Sequence, residues 1–220
     1  MDSGFLIQNG VLSADECRAL ISALSRNTRR ARAGIRHLMN NAAVNTIAKD
    51  ARMMSLARHF VGDGAVPYRA TLFAKTGHAN WLVAWHQDTA LPLEKRFDSP
   101  GWGPWSFKEG FDYAHAPAWA LSRIVALRIQ LDPSTESNGP LRVIPGTHSL
   151  GVRDDDEVLR CAHGQKPVAC FAPSGSAVVM RPLLIHASSK AQGNSSPRRI
   201  LHIEYAESLD LADGVRLAIT

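Results

Sequence analysis

His86 and Asp88 stand two residues apart in AWHQDTALPL, at the end of an apolar run. Strand side chains alternate, so a strand that continues through both residues presents them on one face. A neutral imidazole beside a carboxylate is half of a divalent metal site. The pattern His-x-Asp recurs by chance, however, and a third ligand has to come from elsewhere among the nine histidines. His37 and His59 fall where the periodicity is helical and read as surface or core residues; His78 and His115 fall in loops. His148 follows the tight turn of IPGTH, and His186 ends the apolar strand of RPLLIHASS, where it suits the far wall of a barrel.

Two histidines and one carboxylate on a single triangular face leave three positions open on iron(II). That is room for a bidentate 2-oxo acid and dioxygen together. The distal carboxylate of such an acid needs a cation, and the planar fork of arginine fits it best. SSPRRILHIEYA offers Arg198 and Arg199. Arg199 is in phase with Leu201, Ile203 and Tyr205, an apolar set that belongs beneath helices. Arg198 is in phase with Ile200, His202 and Glu204, which suits a barrel interior around a metal. A bulge after Pro197 would exchange the two phases. In RIVALRIQLD one face, Val125, Leu127, Ile129 and Leu131, is apolar throughout and must lie on a core. The other carries Arg128 and Gln130, which face either solvent or a cavity that supplies them with partners.

These residues need elements to hold them. Ser13 and Glu16 form a capping box, followed by Cys17, Leu20, Ile21 and Leu24 on one helical face. A second helical pattern runs through IAKDARMMSLARHFVG, with Gly62 as its stop. From residue 68 the pattern changes to short strands: 68–75, 81–88, 123–132, 141–144, 167–171, 176–180, 183–188 and 199–206, separated by SNGP, IPGT and APSG. The expected fold is mostly β with N-terminal helices: a sandwich or jelly roll with helices packed on one sheet. One domain is expected over 1–220, helical over 1–67 and β over 68–206. Residues 91–122, long, aromatic and rich in Gly and Pro, are expected as a lid or binding loop. There Trp102, Trp105 and Phe107 either wall a substrate site or pack within the loop. Trp81 and Trp85 precede the metal motif on the face opposite His86 and read as core.

Composition narrows the class. With 45% hydrophobic and 20% charged residues, the chain is ordinary for a soluble globular protein. No apolar run is long enough for a membrane span, and the first residues lack the pattern of a signal peptide. Cys17, Cys161 and Cys170 form no C-x-x-C and are expected as reduced thiols in a cytoplasmic protein. The net charge of +5 owes part of its excess to RNTRRARAGIR, residues 26–36. The stretch reads as a solvated helix end or, alternatively, a surface for anions or nucleic acid; no aromatic residue interrupts the arginines for base stacking, so no nucleic-acid partner is expected. The basic balance favours an anionic small-molecule substrate.

Several motifs in one order now carry a family resemblance: LFAKTG with Lys75 eleven residues before His86, then WHQD, SNGPLRVIPGTH, RPLLIHAS and PRRILHIEYA. Over about residues 68–206 the chain resembles the phytanoyl-CoA dioxygenase family of iron(II)- and 2-oxoglutarate-dependent oxygenases. The resemblance implies a double-stranded β-helix with His86, Asp88 and His186 on iron(II). It implies Arg198 as partner of the 2-oxoglutarate C5 carboxylate, with Thr71, Arg128 and Ser188 near the cosubstrate. Arg128 stands where the family's founding member has an aromatic residue. Gln130, Trp102 and Trp105 are candidates for substrate contact. Halogenases of the family replace the triad carboxylate with a small residue; Asp88 is present here, which points to hydroxylation with O2, releasing succinate and CO2. The alternatives are a catalytically silent small-molecule-binding protein and a metal-dependent isomerase or hydrolase on the same fold. Succinate formation separates them.

Overall fold

The computed structural model describes residues 3–28, 34–75, 80–193 and 195–220. His78 and residues 29–33 of the basic stretch lie outside them. In chain order the elements are β1 (Phe5–Gln8), α1 (Ala14–Thr28), β2 (Gly34–Ile35), α2 (Ala42–Ala48), α3 (Ala51–Val61), β3 (Val66–Lys75), β4 (Val83–His86) and β5 (Ala90–Leu93). Next come β6 (Trp105–Lys108), β7 (Phe111–His115), α4 (Ala118–Leu121), β8 (Ile124–Gln130), β9 (Leu141–Val143), α5 (Asp155–Gly164), β10 (Val168–Ala169) and β11 (Ala177–Met180). The last are β12 (His186–Ser188), β13 (Arg198–Ala206), β14 (Asp210–Ala212) and β15 (Val215–Arg216).

Local chemistry sets the helix ends. The Ser13 N–H donates to the Glu16 carboxylate at 2.8 Å while the Glu16 N–H donates to Ser13 Oγ at 3.2 Å, closing the expected capping box at the start of α1. The second helical pattern is two helices. Asp50 accepts the Arg52 N–H at 2.9 Å and so starts α3 as an N-cap two residues after α2 ends. Gly62 terminates α3 at φ +84°, a conformation that costs glycine little.

Two facing sheets make the jelly roll. The larger has the order β1-β11-β8-β13-β3-β2 and the smaller β10-β9-β12-β4. Alternation along β8 divides its faces as expected. Val125, Leu127 and Ile129 join Leu201, Ile203 and Tyr205 of β13 in the core beneath the helices, against Leu24, Val44, Met53 and Ala57. Each such buried aliphatic side chain contributes roughly 1.5–3 kcal/mol of transfer free energy. Between the sheets, Ala126, Leu141, Val143, Val178, Met180 and Leu184 fill one part of the interior; polar side chains line the rest.

Three further expectations change. β1, inside the stretch read as helical, pairs with β11 in the register Phe5↔Met180, a partner remote in sequence. The strand at 183–188 is reduced to β12, since Leu183, Leu184 and Ile185 are buried without joining the ladder. The expected loop at 91–122 is built around a three-stranded sheet, β5-β7-β6, and α4. The link from β6 to β7 is the two-residue turn Glu109-Gly110, with φ +51° and +93°. Positive φ at both positions marks the turn whose twist matches paired strands.

Candidate metal centre and its cavity

β4 and β12 are neighbours in the smaller sheet, and their register sets His86 opposite His186. The two imidazole centroids lie 4.1 Å apart. Asp88 sits beyond the end of β4 and not on it; its N–H donates to Pro182 O at 2.9 Å. The intervening Gln87 locks this turn from the other side. Its amide donates to Gly151 O at 2.9 Å and Leu183 O at 2.7 Å and accepts the Arg153 N–H at 2.8 Å. Asp88 Oδ1 is then 3.6 Å from His86 Nε2, and Oδ2 is 3.6 Å from His186 Nε2. One ligand atom from each of the three lies within 4.8 Å of the others, the sole such cluster among the described residues.

The donor set fits a divalent ion. His86 Nδ1 donates to Ala84 O at 2.8 Å and His186 Nδ1 to Leu184 O at 2.9 Å. These bonds fix both tautomers and leave each Nε2 lone pair free for a metal. Burial pushes the His186 imidazole down to about 3, whereas the His86 imidazole is drawn up, its burial outweighed by the Asp88 carboxylate. Asp88 is held well below the usual carboxylate range: burial works against ionisation, but His186 and His86 outweigh it. An anionic carboxylate and two imidazoles, which a bound cation would hold neutral, suit iron(II), zinc or manganese.

The cluster forms part of the wall of a cavity of about 380 Å³. Alternation explains the opposite wall. Arg69, Thr71, Phe73 and Lys75 of β3 face inward, whereas Ala70 and Leu72 pack under the helices. Arg198 and His202 of β13 and Arg128 of β8 face the same space. Arg198, 4% exposed, pairs across the ladder with Lys75. The Lys75 ammonium donates to Ser188 Oγ at 2.8 Å and Ser189 O at 2.5 Å. Burial, with Arg198 and Arg128 nearby, brings the Lys75 amine down to about 7. Arg199 faces away and is paired with Asp132, its Nε 2.6 Å and Nη2 2.7 Å from the carboxylate oxygens.

Of the residues singled out from the sequence, His86, Asp88, His186, Arg198, Thr71, Arg128 and Ser188 all border this cavity. Gln130, Trp102 and Trp105 do not. Gln130 is 3% exposed and folds back along its own strand, donating to Arg128 O at 3.3 Å. Trp102 and Trp105 pack edge-on against Phe97, at 5.2 and 5.3 Å, over a separate apolar cluster. There an indole ring buries more apolar surface than at a polar cavity mouth. Trp81, read as core, lines the cavity, with Lys75 Nζ 5.6 Å from its ring centroid. Trp85 packs against Ile144, Val158 and Ile185, as expected.

Arg36 (read as part of a solvated helix end), Lys108, Tyr113 and His115 (read as a loop residue) also border the cavity and were not expected there. The last three come from the β6–β7 hairpin, whose signal was the Glu-Gly turn flanked by WSFK and FDYAH. His115 Nδ1 lies 2.7 Å from Thr89 Oγ1, one residue beyond Asp88. Arg69 and Lys75 were legible in principle, because YRATLFAK alternates polar and apolar residues.

Comparison with known proteins follows the same lines. The model of the phytanoyl-CoA dioxygenase (PhyH) family matches residues 1–200. An ectoine dioxygenase of Sphingopyxis alaskensis is 25% identical over 173 residues, 69% of this chain and 49% of that protein. An L-proline trans-4-hydroxylase of Streptomyces griseoviridis is 27% identical over 180 residues, 70% of this chain and 59% of that protein. The chain therefore spans about half the length of the curated relatives it matches. The crystal structure of EctD from S. alaskensis with 2-oxoglutarate and 5-hydroxyectoine superposes with a TM-score of 0.69 at 20% identity, over 94% of this chain and 73% of that one. A family model that matches nearly the whole chain, on a jelly roll with its His-Asp-His cluster facing a basic cavity, places the protein: it belongs to the phytanoyl-CoA dioxygenase family.

Proposed function

We propose that the chain is a non-haem iron(II)- and 2-oxoglutarate-dependent dioxygenase that hydroxylates a small molecule. The observation that carries this reading is one cavity bounded by both halves of the required chemistry. Two fixed Nε2 atoms and a carboxylate lie on one wall, and Arg198, Lys75 and Ser188 meet on another. His86, Asp88 and His186 would hold the iron. Iron(II) with 2-oxoglutarate supplies the oxidant: substrate C–H, O2 and 2-oxoglutarate become substrate C–OH, succinate and CO2.

The chain's own residues hold, orient and shield. Arg198 and Lys75 would grip the C5 carboxylate, with Ser188 orienting the lysine. Thr71 and Arg128 border the same space. Tyr113, His115 and Lys108 of the β6–β7 hairpin would border the substrate and limit water access. No general base is required. The named activities of two relatives, an ectoine dioxygenase and a proline hydroxylase, support a small polar substrate. Six basic residues line the cavity against one acid, which supports an anionic one. Three cysteines without a disulfide support a cytoplasmic setting; among the described residues no helix is long and apolar enough to cross a membrane.

The test is 2-oxoglutarate turnover. Purified protein given iron(II), 2-oxoglutarate and oxygen should form succinate, a small-molecule library should stimulate it, and Asp88→Ala should abolish it. Metal-dependent turnover of any compound that needs neither 2-oxoglutarate nor oxygen would point to the hydrolase or isomerase chemistry instead.

A further inference from the structure

Arg128 is the unusual charge of the cavity. It faces inward from β8 and is 9% exposed. No carboxylate among the described residues forms an ion pair with it. Its side chain makes one hydrogen bond, from Nη1 to His202 Nδ1 at 3.1 Å, and its guanidinium lies 5.5 Å from the Phe73 ring centroid. A buried cation without an anion is costly unless a ligand supplies one.

Its neighbours fix where it points. Glu204, 3% exposed, accepts hydrogen bonds from Tyr68 Oη at 2.5 Å, from Arg69 and from His202 Nε2 at 2.9 Å. The carboxylate thus holds the proton of His202 on Nε2. The Nδ1 lone pair is left to accept from Arg128. The chain Glu204–His202–Arg128 runs over three inward positions of two paired strands, with His202 opposite Arg128 in the ladder. It restrains one nitrogen of the guanidinium and leaves the rest facing the cavity.

The other cavity cations have assignments. Arg69 pairs with Glu204, and Arg36 with Glu109. Lys108 is exposed at the rim. Arg198 and Lys75 together match the distal carboxylate of 2-oxoglutarate, and the iron(II) that His86, Asp88 and His186 would hold would take the proximal one. Arg128 remains unmatched. We propose that Arg128, aimed by His202 and Glu204, is the specificity determinant of this enzyme and binds a carboxylate of the primary substrate. The proposal rests on the oxygenase reading above. A planar fork prefers a planar carboxylate, taken by two parallel N–H donors. Glu204 acts through His202 and is a positioning residue.

The test uses the anaerobic iron(II) enzyme with saturating 2-oxoglutarate, followed by its visible charge-transfer band. Acetate, propionate and benzoate are titrated beside their primary amides. The carboxylates should perturb the band saturably, and the amides at least tenfold more weakly. Arg128→Met should erase that preference while 2-oxoglutarate affinity stays within threefold. Arg128→Lys, which keeps the charge without the fork, should restore part of it. Glu204→Gln should weaken the preference with the 2-oxoglutarate affinity again unchanged, a split that a general loss of structure would not produce. Equal response to carboxylates and amides in the unmutated enzyme overturns the proposal without recourse to any variant. So does an Arg128→Met enzyme that loses 2-oxoglutarate but keeps the preference, since Arg128 would then serve the cosubstrate. Failure of the band to form before any carboxylate is added refutes the oxygenase reading itself, and this inference with it.

Discussion

Replacing Arg198 or its neighbour Arg199 by methionine separates two adjacent arginines that strand alternation places on opposite faces. Arg198 is 4% exposed, and its Nε donates to Asn138 O at 3.2 Å, which orients the fork across from Lys75. Arg199 is spent on Asp132, outside the cavity. Loss of a charge-assisted carboxylate contact at a buried site costs about 2–4 kcal/mol. That is roughly 30- to 1000-fold in affinity. Lys75 retains part of the attraction, so the lower half of the range is expected. Arg198→Met should therefore weaken 2-oxoglutarate binding at least tenfold. Arg199→Met should leave affinity within threefold and cost about 1 kcal/mol of stability, since its ion pair is partly exposed and screened. The assay is an anaerobic titration of the iron(II) protein with 2-oxoglutarate, paired with thermal melts. A large loss of affinity in Arg199→Met beside none in Arg198→Met would refute the reasoning, because it would place the odd face of β13 in the cavity.

Other consequences can be checked singly. Burial, with Arg198 and Arg128 beside it, pushes the Lys75 amine down to about 7, and a bound dianion would raise it again. Its contribution is thus complete below about pH 7 and is lost as pH rises; 2-oxoglutarate affinity should fall up to roughly 30-fold by about pH 8.5, a trend that Lys75→Met flattens. A flat profile in the unmutated protein would count against Lys75 as a cosubstrate contact. His186→Ala should abolish stoichiometric iron(II) binding measured by metal analysis, whereas His148→Ala, outside the cluster, should retain it. Leu127→Ala, fully buried beneath the helices, should cost about 2–5 kcal/mol in denaturant unfolding. Phe107→Ala, on a ring that is 66% exposed, should change stability by less than about 0.5 kcal/mol.

Much of the site was legible in the sequence because strand periodicity is local. The alternation of RRILHIEY assigns Arg198 and Arg199 to opposite faces before any partner strand is known. Likewise IVALRIQ separates the helix-facing Val125, Leu127 and Ile129 from the cavity-facing Arg128. Capping chemistry is also local, so the start of α1 at Ser13 and the stop at Gly62 follow from a few neighbouring residues. A carboxylate two residues after a histidine, joined by motifs in a fixed order, was enough to suggest a metal and its cosubstrate.

What only the tertiary structure decided depends on partners distant in the chain. β1 is four residues long and acquires its strand character from β11. A short apolar segment has no period of its own to declare which partner it will join. Asp88 shares a site with His86 although β4 has ended, because Pro182 and the Gln87 contacts fold the turn back. The aromatic stretch 91–122 showed its composition but not its pairing, so Lys108, Tyr113 and His115 emerged at the cavity only once β6 and β7 were paired. Trp102 and Trp105 went instead to an apolar cluster, since burial of a ring depends on which surfaces meet. The Glu204–His202–Arg128 chain is the same kind of fact. Alternation shows that each residue faces inward, but the hydrogen bond from Arg128 to His202 exists only because β8 and β13 are neighbours in one register.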